Sequence, residues 1–318
     1  MNMTKPNIAI SSCLLGNLVR YDKNHCQDKW IIQELSKFVN FVPVCPEMEM
    51  GLGAPREEIH LYFNKEDKEN IKLRKKFEGT DLTGLALETY SRMNATLSNK
   101  SIDGFILTKK SPSCGLDNVK TIQLDDSKVV TRSTGLFAKN VLSNFPSVPT
   151  IDSGRMINKV LRENFIKSVY AHYRLRNTER TPAEFQQFHQ KYKYILMDHS
   201  PKELKRLGQI VANAKKNDIE ESFQEYRTLL FKTFNKEATT GRRFNTLQHL
   251  MGYFKKYLTA KEKSEIVSLL EDFKNGIINH IVLLKFFDLL TKKYELSYLN
   301  GQYYFMPYPK ELKLAKEV

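Results

Sequence analysis

Three cysteines stand where chemistry is done more often than where cores are packed. Cys13 ends the run SSC, Cys45 ends FVPVC, and Cys114 sits in the turn SPSCG. Each follows an apolar, β-rich run directly or after a short turn, and each has Ser, Pro or Gly beside it. Such neighbours permit tight turns that aim a side chain and let backbone approach a bound group. A single cysteine in this setting is most simply a buried thiol. Three of them, each at a strand end, predict thiols that meet in space.

Convergent thiols are soft ligands and suit a thiophilic metal centre. A structural zinc site wants four protein ligands, commonly from CxxC pairs, and the chain has no CxxC. His25 would complete a Cys3His zinc set, without recognisable spacing. A 4Fe-4S cluster normally takes four cysteines, so three would leave one iron open to a substrate as a Lewis acid. The fourth cysteine, Cys26, falls in the polar segment YDKNHCQDK and reads as an incidental thiol. Glu47, two residues past Cys45, reads by itself as a solvated carboxylate or a helix cap. Arg20, Arg56, Lys109 and Lys110 flank the expected mouth and suit phosphate or pyrimidine contacts.

The elements that must position these residues are alternating strands and helices. Strands are expected at 7–12, 41–45, 102–108 and 148–152, and helices at 28–38, 81–99 and 133–145. That alternation predicts an α/β, Rossmann-like, mostly parallel sheet, whose ligands bind outside the carboxyl ends of the strands. The charged segment 61–80 reads as a surface excursion. Beyond residue 155 long amphipathic patterns take over and predict an all-α domain, with Ser200 as a helix N-cap and Pro201 at the first helical position. The expected domains are therefore 1–155 and 156–318.

Charge divides along the same line. Residues 1–150 hold 20 Lys and Arg against 17 Asp and Glu, and residues 151–318 hold 30 against 19. The second half, at +11, should attract a polyanion. Arg174, Arg176, Arg242 and Arg243, with Tyr173 as a stacking ring, are its candidate RNA contacts. His189 and His199 lack metal-pair spacing and read as structural. With 41% hydrophobic and 27% charged residues, no long apolar run and no apolar leader, the chain is expected to be cytoplasmic, with no membrane contact. Four cysteines make no disulfide framework.

SSCLLGNLVRYD, VCPEMEMGLGAPRE and ILTKKSPSCG, in that order over residues 7–150, together resemble the signature of the thiouracil desulfidase (TudS-like) family. HQKYKYILMDHSPKELKRLGQIVA and GQYYFMPYPKEL resemble the YbgA-like helical domain. The two-part arrangement is similar to tRNA 4-thiouridine desulfidases (RudS-like). The resemblance implies a 4Fe-4S cluster on Cys13, Cys45 and Cys114 with one open iron. It also implies a catalytic carboxylate at Glu47 and a serine of the SPSC turn, Ser111 in preference to Ser113. The implied substrate is tRNA containing 4-thiouridine, converted to uridine with release of hydrosulfide. Two alternatives stand beside it: a desulfidase of free thiopyrimidines, and a non-catalytic RNA-binding protein with a structural metal site. The chain departs from the family at Lys23, where VRYD is commonly followed by glycine.

Overall fold

The computed structural model describes residues 5–124, 129–214 and 218–314. The chain forms two compact units, Met1–Phe165 and Ile166–Val318. The first unit runs past the expected joint at 155 because the start of helix Lys159–Arg176 is tied into it. There Arg162 lies 4.6 Å over the Trp30 ring and donates to the Met156 carbonyl at 2.7 Å.

Among the described residues of the first unit lie eight strands: β1 Asn7–Ser11, β2 Asn40–Val44, β3 Ile59–Asn64, β4 Asp67–Lys75, β5 Gly104–Leu107, β6 Val119–Gln123, β7 Val130–Ser133 and β8 Thr150–Asp152. Four of them form an all-parallel sheet in the order β2-β1-β5-β8. Its central strands are apolar without alternation, as in Ile8-Ala9-Ile10 and Phe105-Ile106-Leu107, because both faces are covered. Helix Thr83–Asn99 buries Ala86, Tyr90, Met93 and Leu97, a stripe at helical spacing. Helix Leu136–Asn144 packs into the same core through Phe137, Ala138 and Val141.

The expected surface excursion at 61–80 is instead ordered sheet. β3 and β4 pair as an antiparallel hairpin and join β6 and β7 in a second sheet, order β4-β3-β6-β7. One buried pair explains how so charged a segment folds. Leu61 and Leu73 stand opposite each other, both fully buried, and pack into the core that contains Leu82 and Ala86, while the run of Lys and Glu at 65–69 stays in solvent.

The second unit is helical, with Pro182–His199, Pro201–Asn213, Ile219–Phe234, Thr240–Phe254, Ala260–Lys274 and His280–Lys293 as its long elements. Thr181, Ser200, Asp218, Thr239 and Thr259 each accept a backbone N–H two or three residues into the following helix, which satisfies amides the helix leaves orphaned. Its core is rich in aromatic rings, among them Phe185, Tyr192, Tyr226, Phe254 and Phe287. No described helix is long and apolar enough to cross a membrane.

Candidate active site at the ends of three parallel strands

The order β2-β1-β5 sets three carboxyl ends side by side, and a cysteine follows each. Cys13 lies in a single 3-10 turn, Ser12–Leu15, directly after β1. Cys45 follows β2 and caps the short helix Pro46–Glu49. Cys114 sits in the 108–115 turn that leaves β5. The order in which strands are added reverses at β1, with β2 on one side and β5 on the other, the point in such a sheet where a crevice opens.

The SPSCG turn is held from behind by the next helix. The Pro112 and Ser113 carbonyls accept the Leu136 and Ala138 amides at 2.9 Å each, so the turn caps helix Leu136–Asn144. Gly115 and Gly135 make that approach possible. A Cβ on Gly135 would meet the Ser113 carbonyl at 2.5 Å, and one on Gly115 would meet the Ser111 carbonyl at 2.9 Å. Ser111 Oγ accepts the Ser113 and Cys114 amides at 3.2 and 3.1 Å, which fixes the direction of the cysteine.

Burial governs the thiols. Cys13 Sγ lies 3.0 Å from Thr108 Oγ1, on the turn beyond β5. Cys45 Sγ donates to Glu47 Oε2 at 3.5 Å. Cys114 is buried, and the Ser11 and Ser111 hydroxyls reach it. Burial and then the Glu47 charge push Cys45 up to about 12 and hold Cys114 well above the usual thiol range. Cys114 also feels the Cys45 charge, and Cys13 feels that of Cys114, so the three thiols share one electrostatic neighbourhood. Among the described residues no three His, Cys, Asp or Glu side chains close round a single ion. Glu47 is buried, not a solvated surface carboxylate.

Residues 8–153 match the family described as 2-thiouracil desulfurase, and residues 193–309 match DUF1722, described as a protein of unknown function. The chain joins a TudS-like domain to a YbgA-like domain. The second match has a curated relative, the uncharacterized protein YbgA of Escherichia coli strain K12, 24% identical over 146 residues that cover 45% of this chain and 85% of YbgA. A solved structure of a 4Fe-4S-dependent thiouracil desulfidase, TudS, aligns with a TM-score of 0.39 and 21% identity over 48% of this chain and 94% of that one.

Within the TudS-like domain the structure adds two residues that sequence reading missed. Cys26 is not isolated: its amide donates to the Cys13 carbonyl at 3.0 Å, and the two thiols influence each other electrostatically. The Cys26 thiol, then burial, raises Cys13, while the Cys13 thiol and Arg20 bring Cys26 down to about 6. Tyr90, fully buried, places its hydroxyl near Ser113, Glu47 and Cys114. Neither the Tyr90 hydroxyl nor Ser113 Oγ makes a hydrogen bond of good geometry. Nothing local in either sequence signalled these contacts.

The basic candidates divide. Arg20 Nη1 donates to Cys26 Sγ at 3.2 Å, and Arg56 Nη1 donates to the Val19 and Gly53 carbonyls at 2.8 and 2.7 Å, so both brace the loop beside Cys45. Lys109 and Lys110 are exposed beside the turn. In the YbgA-like domain, Arg174 is engaged internally, donating to Tyr192 Oη and the Pro307 carbonyl and lying 3.9 Å over Tyr303. Arg242 donates to the His199 and Glu237 carbonyls. Arg243 has a buried Nε and lies near Asp198. Arg176 lies over Tyr173 at 5.6 Å. Two of the four arginines, Arg174 and Arg242, are thus occupied by the fold. His189 and His199 bond Tyr226 Oη and the Lys236 carbonyl, and His25 is exposed, its ring accepting the Gln27 amide.

Proposed function

We propose that the TudS-like domain hydrolyses a thiocarbonyl bond with a 4Fe-4S cluster, and that the intact chain does so on 4-thiouridine in tRNA. The observation that carries the reading is the buried Glu47 carboxylate, bonded to Cys45 and felt by Cys114, at the point where three parallel strands end. Three thiols from adjacent strand ends, two of them buried and one half-buried, are the donor chemistry such a cluster needs, and Cys13, Cys45 and Cys114 would hold it. When bound, it supplies an open iron with affinity for the substrate sulfur.

The chain's own groups account for the proton movements. Glu47 takes a proton from water as the oxygen attacks the thiocarbonyl carbon. Ser111 Oγ accepts two amides, so its own hydrogen is free to be donated to the departing sulfur. A C–O bond forms, the C–S bond breaks, and thiocarbonyl plus water become carbonyl plus hydrogen sulfide, with no external electrons. Tyr90 and the apolar core behind it keep the inner side of Glu47 dry.

The +11 balance of the second half supports tRNA as the carrier of the base. The family description names 2-thiouracil, which favours a free base as the second reading. Anaerobic reconstitution with ferrous iron and sulfide should give a brown protein with about four irons and four sulfides. It should bleach the 4-thiouridine absorbance of tRNA, with a KM that rises steeply with salt, while turnover of the free nucleoside ignores salt. Nucleoside turnover without tRNA turnover would select the free-base reading. A colourless protein holding zinc, with no loss of thiocarbonyl, would select the non-catalytic one.

A further inference from the structure

Helices Thr240–Phe254 and His280–Lys293 end in related sequences, Phe254-Lys255-Lys256-Tyr257 and Thr291-Lys292-Lys293-Tyr294. Their ends come together through two stacked tyrosine pairs. Tyr253 and Tyr298 stack with centroids 5.7 Å apart and planes 16° from parallel, and Tyr257 and Tyr294 stack at 4.8 Å and 21°. Segments 253–257 and 294–298 therefore run side by side in opposite directions, with a ring pair at each end of the contact. Tyr194 lies buried near Tyr253 and Tyr298.

These rings are not core. Tyr253, Tyr257 and Tyr298 are 38, 37 and 38% exposed, and only Tyr294 leans inward, toward Phe254. Lys255, Lys256, Lys292 and Lys293 are all exposed around them. Lys256 Nζ sits 4.9 Å over Tyr257 and Lys293 Nζ 5.0 Å over Tyr294. Asp288 holds Lys292 at 2.8 Å, and Glu262 feels Lys293. Aromatic rings partly left in solvent and ringed by lysines are the composition that binds unpaired bases, the rings stacking on bases and the cations taking phosphates. An apolar protein partner would have to desolvate those lysines. Two of the arginines first expected to meet RNA, Arg174 and Arg242, are bound to backbone carbonyls, so this patch is a better place for it.

We propose that the four-tyrosine patch is a stacking platform for unpaired bases of an RNA strand, with Lys255, Lys256 and Lys293 on its phosphates. It rests on the reading above for RNA as partner, and not on desulfuration.

The test uses the full chain and two unmodified, end-labelled probes, a short single-stranded RNA of mixed sequence and a duplex of the same length, followed by anisotropy across a salt series. Tyr253→Ala, Tyr257→Ala and Tyr298→Ala should each raise the single-strand Kd by about 5- to 150-fold, with the log–log salt slope unchanged. The duplex, whose base faces are covered, should bind each variant as it binds the wild type. Tyr257→Trp should retain binding, and Lys256→Ala should make the slope shallower by about 0.7. Should an alanine variant lose its thermal transition, Tyr298→Leu keeps the bulk and removes the π-face, and it should show the same selective loss. Wild-type single-strand affinity in the tyrosine variants, or equal losses on both probes, would overturn the platform. Because the probes carry no sulfur, stacking without tRNA desulfuration would sink the activity and keep the platform. Desulfuration with no tyrosine effect would do the reverse.

Discussion

The Arg20 guanidinium donates to Cys26 Sγ at 3.2 Å, and the Cys26 amide donates to the Cys13 carbonyl at 3.0 Å. A fourth sulfur, braced by a cation, therefore forms part of the wall beside the three strand-end cysteines. Its loop, not a strand, brings it there.

Substitution should separate the four. Cys13→Ala, Cys45→Ala and Cys114→Ala should each lose bound iron, and Cys26→Ala should keep it. In cluster-free protein, limiting iodoacetamide should alkylate Cys26 ahead of Cys13 and Cys114, which are buried. Peptide mass after digestion reads the order. Iron loss in Cys26→Ala would move that residue into the ligand set.

Glu47→Gln keeps the shape and removes the base. Iron content should be unchanged and turnover should fall on the order of 10²–10⁴-fold. A rate near wild type with full iron would return the buried carboxylate to a packing role.

The two serines of the turn should fail differently. Ser111→Ala removes the acceptor of two amides, at roughly 1 kcal/mol for each lost bond. It should lower the unfolding temperature and iron retention together with turnover. Ser113→Ala removes a hydroxyl with no well-formed bond and should leave iron and stability near wild type. Calorimetry beside an iron assay distinguishes them.

The helical unit should be labile to acid. Burial brings His189 and His199 down to about 4 and holds His280 well below the usual range. Between pH 4 and 6.5 the unfolded chain binds protons these imidazoles refuse, so stability rises with pH there, by on the order of 3 kcal/mol for the buried His199 and by less for the half-buried His189 and His280. Asp198 acts the other way. Burial raises it from 3.8 to about 6, so the folded state holds its proton and stability falls as pH climbs through that window. Three rings outweigh one carboxyl. Denaturant midpoints should increase from pH 4 to 7, more steeply in Asp198→Asn and less steeply in His199→Gln.

The four strands of the parallel sheet and the placement of its cysteines were legible because buried strands read as uninterrupted apolar runs that end at a turn. The 59–75 hairpin was not legible, since its buried residues, Leu61, Tyr62, Phe63 and Leu73, stand in a field of charge. Tyr90 looked like any apolar position on an amphipathic helix. Its approach to Ser113 depends on how that helix packs, which spacing along the chain does not encode. The arginines misled for a related reason: charge counts reveal a surplus, not which guanidinium groups the backbone carbonyls will claim.

Cys13 meets Thr108 across 95 positions of chain, and β1 meets β5 only after the intervening hairpin and helix have been laid down. Parallel pairing of this kind forms late, because a long loop must close before any contact rewards it. A ribosome-bound chain that has emerged only as far as β4 therefore carries Cys13, Cys26 and Cys45 without the wall that Thr108 and Cys114 provide. Metal delivered at that stage would find an incomplete and exposed set of thiols. The proposed cluster would therefore load after folding, and mutations that slow the docking of β5 should delay loading to the same degree.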